Sequence, residues 1–226
     1  MGKLKEMNLW HDTHPRSGAE NMAVDQLLLE NISDIPTLRF YSWKSPSVSF
    51  GYFESLSAAR SIFNDEKLDF IRRWTGGGIV DHRIDHTYTI VTPSSHPWAR
   101  LRGAESYRFI HQAVAEALNE IGIECELTSE NTGDGSATCF TNPVAYDIVT
   151  PAGKKLAGAG QKRTRHGLLH QGSVIEIKDG AIWQDSLTRF LTESATPWTP
   201  DESFFEAVNN LAESRYATQE WLKKRP

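Results

Sequence analysis

Apolar positions along the chain switch repeatedly between a helical and a strand period, and these switches predict most of the elements. Ser17-Gly18-Ala19-Glu20 has the form of a capping box and opens an apolar series through Met22, Ala23, Leu27, Leu28 and Ile32, which predicts a helix. Leu38–Trp43 and Ser47–Phe53 are aromatic and β-branched with Pro46 between them, which predicts two strands of a hairpin. A short helix is expected over Ser55–Phe63. A strand over Phe70–Trp74 then runs into glycines and returns over Thr87–Val91.

Tyr107, Ile110, Val114, Leu118 and Ile121 recur at spacings of three and four, and Gly122 stands where a C-cap belongs, so Ala104–Ile121 reads as a helix. Ile123, Cys125 and Leu127 alternate as in a strand, and 129–138 is a polar loop. Val144–Val149 and Lys155–Ala157 flank Thr150-Pro151-Ala152-Gly153, a turn between antiparallel strands. Leu168–Ile177 is a further strand, and helices are expected near 182–191, 202–213 and 218–224. Strands and helices come in mixed order with no βαβ rhythm. The fold class is therefore α+β: a central, mostly antiparallel sheet with packed helices.

Composition adds limits rather than direction. The 226 residues suit a single domain, expected to span 1–226 with its core in 19–177 and a helical segment over 180–226. Apolar residues make up 39% and charged residues 23%, and the net charge of −5 argues against a protein built to grip nucleic acid. Two cysteines supply no disulfide framework, Met1–Met7 lacks the apolar core of a signal peptide, and no apolar run approaches the roughly 18 residues of a membrane span. A cytoplasmic protein with no membrane partner is expected.

Two segments concentrate chemistry. Arg72-Arg73-Trp74-Thr75-Gly76-Gly77-Gly78 places three glycines, whose amides can approach a ligand closely, beside two forked cationic donors. Read alone it is equally a flexible turn with surface arginines. Lys154, Lys155, Gly158, Gly160, Lys162, Arg163 and Arg165 again mix small and basic residues, although the P-loop and dinucleotide fingerprints are both absent. Two such segments in an acidic chain suggest a pocket for an anionic group. His82, Asp85 and His86 follow the first in a region of loop and strand, so a hydrogen-bonded turn is expected there rather than a metal site. Cys125 alternates with apolar neighbours and reads as core. Cys139 follows the polar loop and is a candidate nucleophile.

Taken together, Arg-Arg-Trp-Thr-Gly-Gly-Gly-Ile-Val, then His82, Asp85 and Tyr88, then Lys155-Leu-Ala-Gly-Ala-Gly-Gln-Lys-Arg and His170-Gln171-Gly172-Ser173 resemble the lipoate–protein ligase and octanoyltransferase family. Met22–Leu29 and Phe40-Tyr41-Ser42-Trp43 with Pro46 and Gly51 add to the match, which runs from about Ala19 to Ile177. The resemblance implies transfer of a lipoyl or octanoyl group to a lysine of a lipoyl-acceptor domain, either the E2 of a 2-oxoacid dehydrogenase or the glycine cleavage H protein. It places Arg73, Gly76, Gly77 and Gly78 along the acyl and phosphate side of the pocket and Lys155 at the acyl carbonyl. Arg72, Thr75, His82, Asp147, Gly158, Ala159 and Gly160 are expected to bind substrate with them.

Two mechanisms fit that pocket. A transferase takes octanoyl from acyl carrier protein through a thioester on Cys139, with Lys155 assisting the thiol, and needs no cofactor. A ligase activates free lipoate with ATP and Mg, to which Asp147 could contribute. Gly158-Ala159-Gly160 stands where ligases more often have Gly-Ser-Ala, and the removed hydroxyl leans toward the transferase. About 50 residues follow Gly172-Ser173, too few for a separate accessory domain. A non-catalytic lipoate-binding protein is the alternative of another class. It would have no need for Cys139.

Overall fold

The computed structural model describes residues 2–129 and 144–224. In chain order its elements are β1 (Met7–Arg16), α1 (Gly18–Glu30), β2 (Thr37–Trp43), β3 (Ser47–Phe50), α2 (Leu56–Ile62), β4 (Asp69–Arg72), β5 (Ile79–Asp81) and β6 (Asp85–Pro93). There follow α3 (Pro97–Arg100), α4 (Gly103–Glu120), β7 (Glu126–Leu127), β8 (Ile148–Val149), β9 (Lys155–Thr164) and β10 (Gly167–Ile175). The chain continues through α5 (Gly180–Leu191), β11 (Ala195–Pro197), α6 (Glu202–Leu211), a π-helical turn over Ala212–Tyr216 and α7 (Gln219–Leu222).

The main sheet has the order β11-β1-β2-β6-β10-β9-β8-β7. Its pairings are antiparallel except β11–β1 and β1–β2, which are parallel. The α+β expectation therefore holds. Its central strands are buried on both faces: Ile90 and Leu168 pack with Ile110, Val114, Leu118 and Trp183 of α4 and α5. Their neighbours Val91 and Leu169 pack with Met22, Leu28 and Val208 of α1 and α6 on the other side.

Several expectations change. The predicted hairpin between residues 38–43 and 47–53 does not form. β2 joins β1 and β6 in the main sheet, while β3 pairs with β4 and β5 in a separate three-stranded sheet. β1 was not anticipated, because its inward positions include a charge: buried Asp12 is neutralised by Arg39 at 2.7 Å. The strand expected over Lys155–Ala157 extends through the second glycine segment. β9 runs unbroken through Gly158-Ala159-Gly160, paired with Ser173, Gly172 and Gln171 of β10. Cys125 is core as expected, its thiol pushed up to about 11 by burial. Among the described residues no helix is long and apolar enough to cross a membrane.

Candidate active site

The capping box predicted at Ser17 forms, with Ser17 and Glu20 satisfying each other's backbone N–H groups. It fixes the start of α1, whose inner face carries Met22 and Asp25 to the centre of the sheet. There Met22, Tyr41, Trp43, Arg73, His82, Gly158–Gly160 and Gln171–Ser173 line a narrow slot. Both glycine segments therefore meet at one site, as the sequence suggested.

They touch through backbone. A Cβ on Gly160 would lie 2.5 Å from the Gly76 carbonyl oxygen and 2.8 Å from Thr75 Oγ1, so only glycine lets the strand and the loop close on each other. Gly77 bends the loop with a φ of +92°, a conformation that L-residues with a side chain rarely adopt. Arg73 stiffens the turn from inside. Its guanidinium donates to the carbonyls of Gly76 (3.2 Å) and Gly78 (2.8 Å) and to Ser49 Oγ (2.7 Å). Thr75 Oγ1 donates to Gln171 Oε1 (2.7 Å), and Gln171 Nε2 donates to Asp25 (2.7 Å). Asp25 is fully buried and pairs with Arg39 at 2.8 Å. A chain of satisfied polar groups thus anchors the loop to α1 and the sheet.

The two arginines part company. Arg72 does not reach the slot. It is 1% exposed and spends all five N–H donors on carbonyl oxygens of Tyr52, Glu54, Trp221, Leu222 and Lys224. Side chains alternate across a strand, and β4 ends at Arg72, so the two neighbours leave in different directions.

His82 forms the hydrogen-bonded turn that was expected, between Asp85 (2.8 Å) and Ser49 Oγ (2.6 Å). Its ring stacks on Trp43 at a centroid distance of 3.9 Å, and the Trp43 indole N–H donates to Thr87 Oγ1. This stack separates the slot from an open groove of about 710 Å³ between β1, β2 and α5.

Lys155 begins β9 and folds its side chain against Gly158 of the slot, where an added Cβ would lie 2.8 Å from its Nζ. Its Nζ lies 2.5 Å from Asp147 Oδ2, with both side chains buried. The other oxygen of that carboxylate accepts from Tyr107 Oη at 2.5 Å, and the Val144 N–H donates to Oδ2 at 2.8 Å. With three donors already converged on it, Asp147 serves Lys155 and does not fit as a magnesium ligand, since the cation would have to share its oxygens with an ammonium. Tyr107 Oη also accepts from the Ala159 N–H at 2.9 Å, tying the pair to the middle of the small-residue strand. Behind Tyr107 lie His111 and His170, both completely buried. Burial lowers His111 to about 4 and holds His170 well below the usual imidazole range. Tyr107, Gln171 and Asp25 were not singled out as site residues from the sequence. Tyr107 reads there as one apolar-face position of a helix. Cys139 lies outside the described residues.

A fixed ammonium beside small backbone, reached by a slot walled with apolar and aromatic groups, suits an acyl substrate whose carbonyl oxygen gains charge. The fold is shared with solved structures. Lipoate-protein ligase A bound with ATP superposes with a TM-score of 0.78 at 19% identity, covering 99% of this chain and 100% of that one. A bi-partite lipoate protein ligase from Thermoplasma acidophilum, solved in a study of it and its E2 lipoyl domain, gives 0.72 at 18% identity, covering 100% and 98%.

Residues 17–216 match the lipoyl protein ligase A/B catalytic domain, and the chain belongs to that family. Among curated relatives, the octanoyltransferase LipM of Carboxydothermus hydrogenoformans is 39% identical over 165 residues, which is 70% of this chain and 61% of the relative's length. That of Bacillus cereus is 34% identical over 225 residues, covering 92% and 79%, and that of Brevibacillus brevis 33% over 271, covering 94% and 97%.

Proposed function

We propose that the protein transfers an octanoyl group from a thioester carrier to Cys139 and from there to a lysine of a lipoyl-acceptor domain. The observation that carries this reading is Lys155. It is a buried ammonium held between Asp147 and Gly158 of the slot, in a chain similar to several octanoyltransferases.

In the first half-reaction the Cys139 thiolate attacks the thioester carbonyl of the carrier. The C–S bond to the carrier breaks and its thiolate leaves, taking up the proton that Cys139 gave up. Lys155 supports the negative oxygen of the tetrahedral stage. In the second, the neutral amine of the acceptor lysine attacks the Cys139 thioester. An amide forms, the Cys139–acyl bond breaks, and the amine's proton returns to the sulfur. Both halves balance without a nucleotide. Cys139 precedes by five positions Val144, whose N–H donates to Asp147, so the proposed nucleophile and Lys155 belong to adjoining parts of the chain.

Intact mass after incubation with octanoyl-acyl carrier protein tests the reading. The parent protein gains one octanoyl mass and Cys139→Ala gains none. Full activity of Cys139→Ala with ATP and free lipoate would overturn it in favour of an adenylate route.

A further inference from the structure

We propose that a basic, aromatic rim formed by Tyr52, Trp74, Lys162, Arg215 and Lys224 is the docking surface for an acidic carrier domain that delivers the acyl thioester. The proposal rests on the acyl-transfer reading above.

The rim adjoins the slot. The Tyr52 N–H donates to the Thr75 carbonyl at 2.8 Å, and Trp74 lies one residue before the glycines, so both residues border the glycine loop. Lys162 stands two positions beyond Gly160 on β9, and the π-helical turn and α7 bring up Arg215 and Lys224.

The cations rest on ring faces. Lys162 Nζ lies 5.7 Å from the Tyr52 ring centre and 5.4 Å from that of Trp74, and Lys224 Nζ lies 5.4 Å from Tyr52. The Arg215 guanidinium lies 5.6 Å from Trp74 and 4.1 Å from Trp221. Among the described residues none of the three pairs with a carboxylate; the described ion pairs all lie elsewhere. An aromatic face positions a cation but leaves its charge free to act outward. That field is felt locally. The Tyr52 phenol is drawn below its ordinary range, first by the neighbouring Lys224 ammonium and then by the charges of Lys162 and Arg215.

The chain carries a net charge of −5, so an uncompensated basic rim runs against its overall balance. An acidic domain is repelled by the molecule at large and drawn to this edge, which raises its encounter rate and sets its orientation. Phe53, 76% exposed and packed edge-on against Tyr52 at 5.2 Å, supplies apolar contact in the same place. A carrier that presents its thioester on a phosphodiester-linked arm brings negative charge to the three cations.

The experiment compares octanoyl-acyl carrier protein with octanoyl-pantetheine, which lacks both protein and phosphate, as donors to the full chain. In Lys162→Glu/Lys224→Glu, KM for the carrier donor is expected to rise at least about tenfold with kcat within about twofold, and the salt dependence of kcat/KM to flatten. Lys162→Gln should fall between the parent and the double variant. Acylation by octanoyl-pantetheine should be unchanged, which also shows that the variant is folded. An unchanged KM for the carrier, equal slowing with both donors, or a rise confined to KM for the acceptor domain overturns the proposal. Failure of both donors to acylate the parent protein overturns the acyl-transfer reading itself.

Discussion

The hydroxyl of Tyr107 and the ammonium of Lys155 lie 2.5 Å from the two different oxygens of one buried carboxylate, that of Asp147. Tyr107→Phe removes both the donor to Asp147 and the acceptor for the Ala159 N–H while preserving the ring. A single lost positioning contact of this kind is expected to lower kcat by about 10²-fold with little change in stability. Asp147→Asn is harsher. It removes the carboxylate that faces a buried ammonium, and a cost of about 3–5 kcal/mol in urea unfolding is expected. A Tyr107→Phe enzyme with parental kcat would remove Tyr107 from the site.

Gly160→Ala should separate the strand from the glycine loop, because the new Cβ meets the Gly76 carbonyl at 2.5 Å. The expected cost is about 1–3 kcal/mol, a few degrees in Tm for a chain of this size, with loss of turnover. Gly76→Ala is the matched control for stability, since its Cβ would meet nothing within 4 Å. Equal melting temperatures for the two variants would show that the close approach is dispensable.

Trp43 walls the slot from the neighbouring groove through its stack on His82. Trp43→Ala joins the two spaces and should shift the preference from octanoyl toward dodecanoyl donors by about tenfold or more, an extension worth several buried methylenes. Competition between the two thioesters measures the ratio. An unaltered ratio would place the end of the acyl chain elsewhere.

His111 and His170 are neutral when buried, and both regain an ordinary affinity for protons on unfolding. The unfolded chain therefore binds more protons below pH 6.5, so stability is full above that pH and falls as the solution is acidified. For His111 the fall continues to about pH 4, at about 1.4 kcal/mol per pH unit. Urea unfolding at pH 7 and pH 5 checks the slope, and His111→Gln should reduce it by one proton.

What the chain disclosed in advance follows the range of each interaction. α1 and α4 declare themselves through local spacing and capping, and the two glycine segments through composition. Partners do not show locally. β2 and β3 read as strands, yet nothing in residues 37–50 says that they enter different sheets. β9 hides behind its glycines because the residue type that marks loops is here required by the Gly76 carbonyl on the facing loop. Arg72 and Arg73 look equivalent in the sequence, and only strand alternation sends one to the loop and the other behind it. Tyr107 matches an apolar helical stripe, and its hydroxyl acquires a role only when Asp147 and Ala159 are brought to it from 40 and 52 positions away.

The burial of Arg72 has a consequence for the order in which the protein can mature. Three of its five carbonyl acceptors belong to residues 221–224, made 149 to 152 positions after it. During synthesis β4 can pair with β3 long before those acceptors leave the ribosome, but its guanidinium must stay hydrated until they arrive. The loop that begins with the next residue, Arg73, therefore gains its backing late. A nascent chain halted before residue 221 would hold the residues of the slot without the support that sets their spacing.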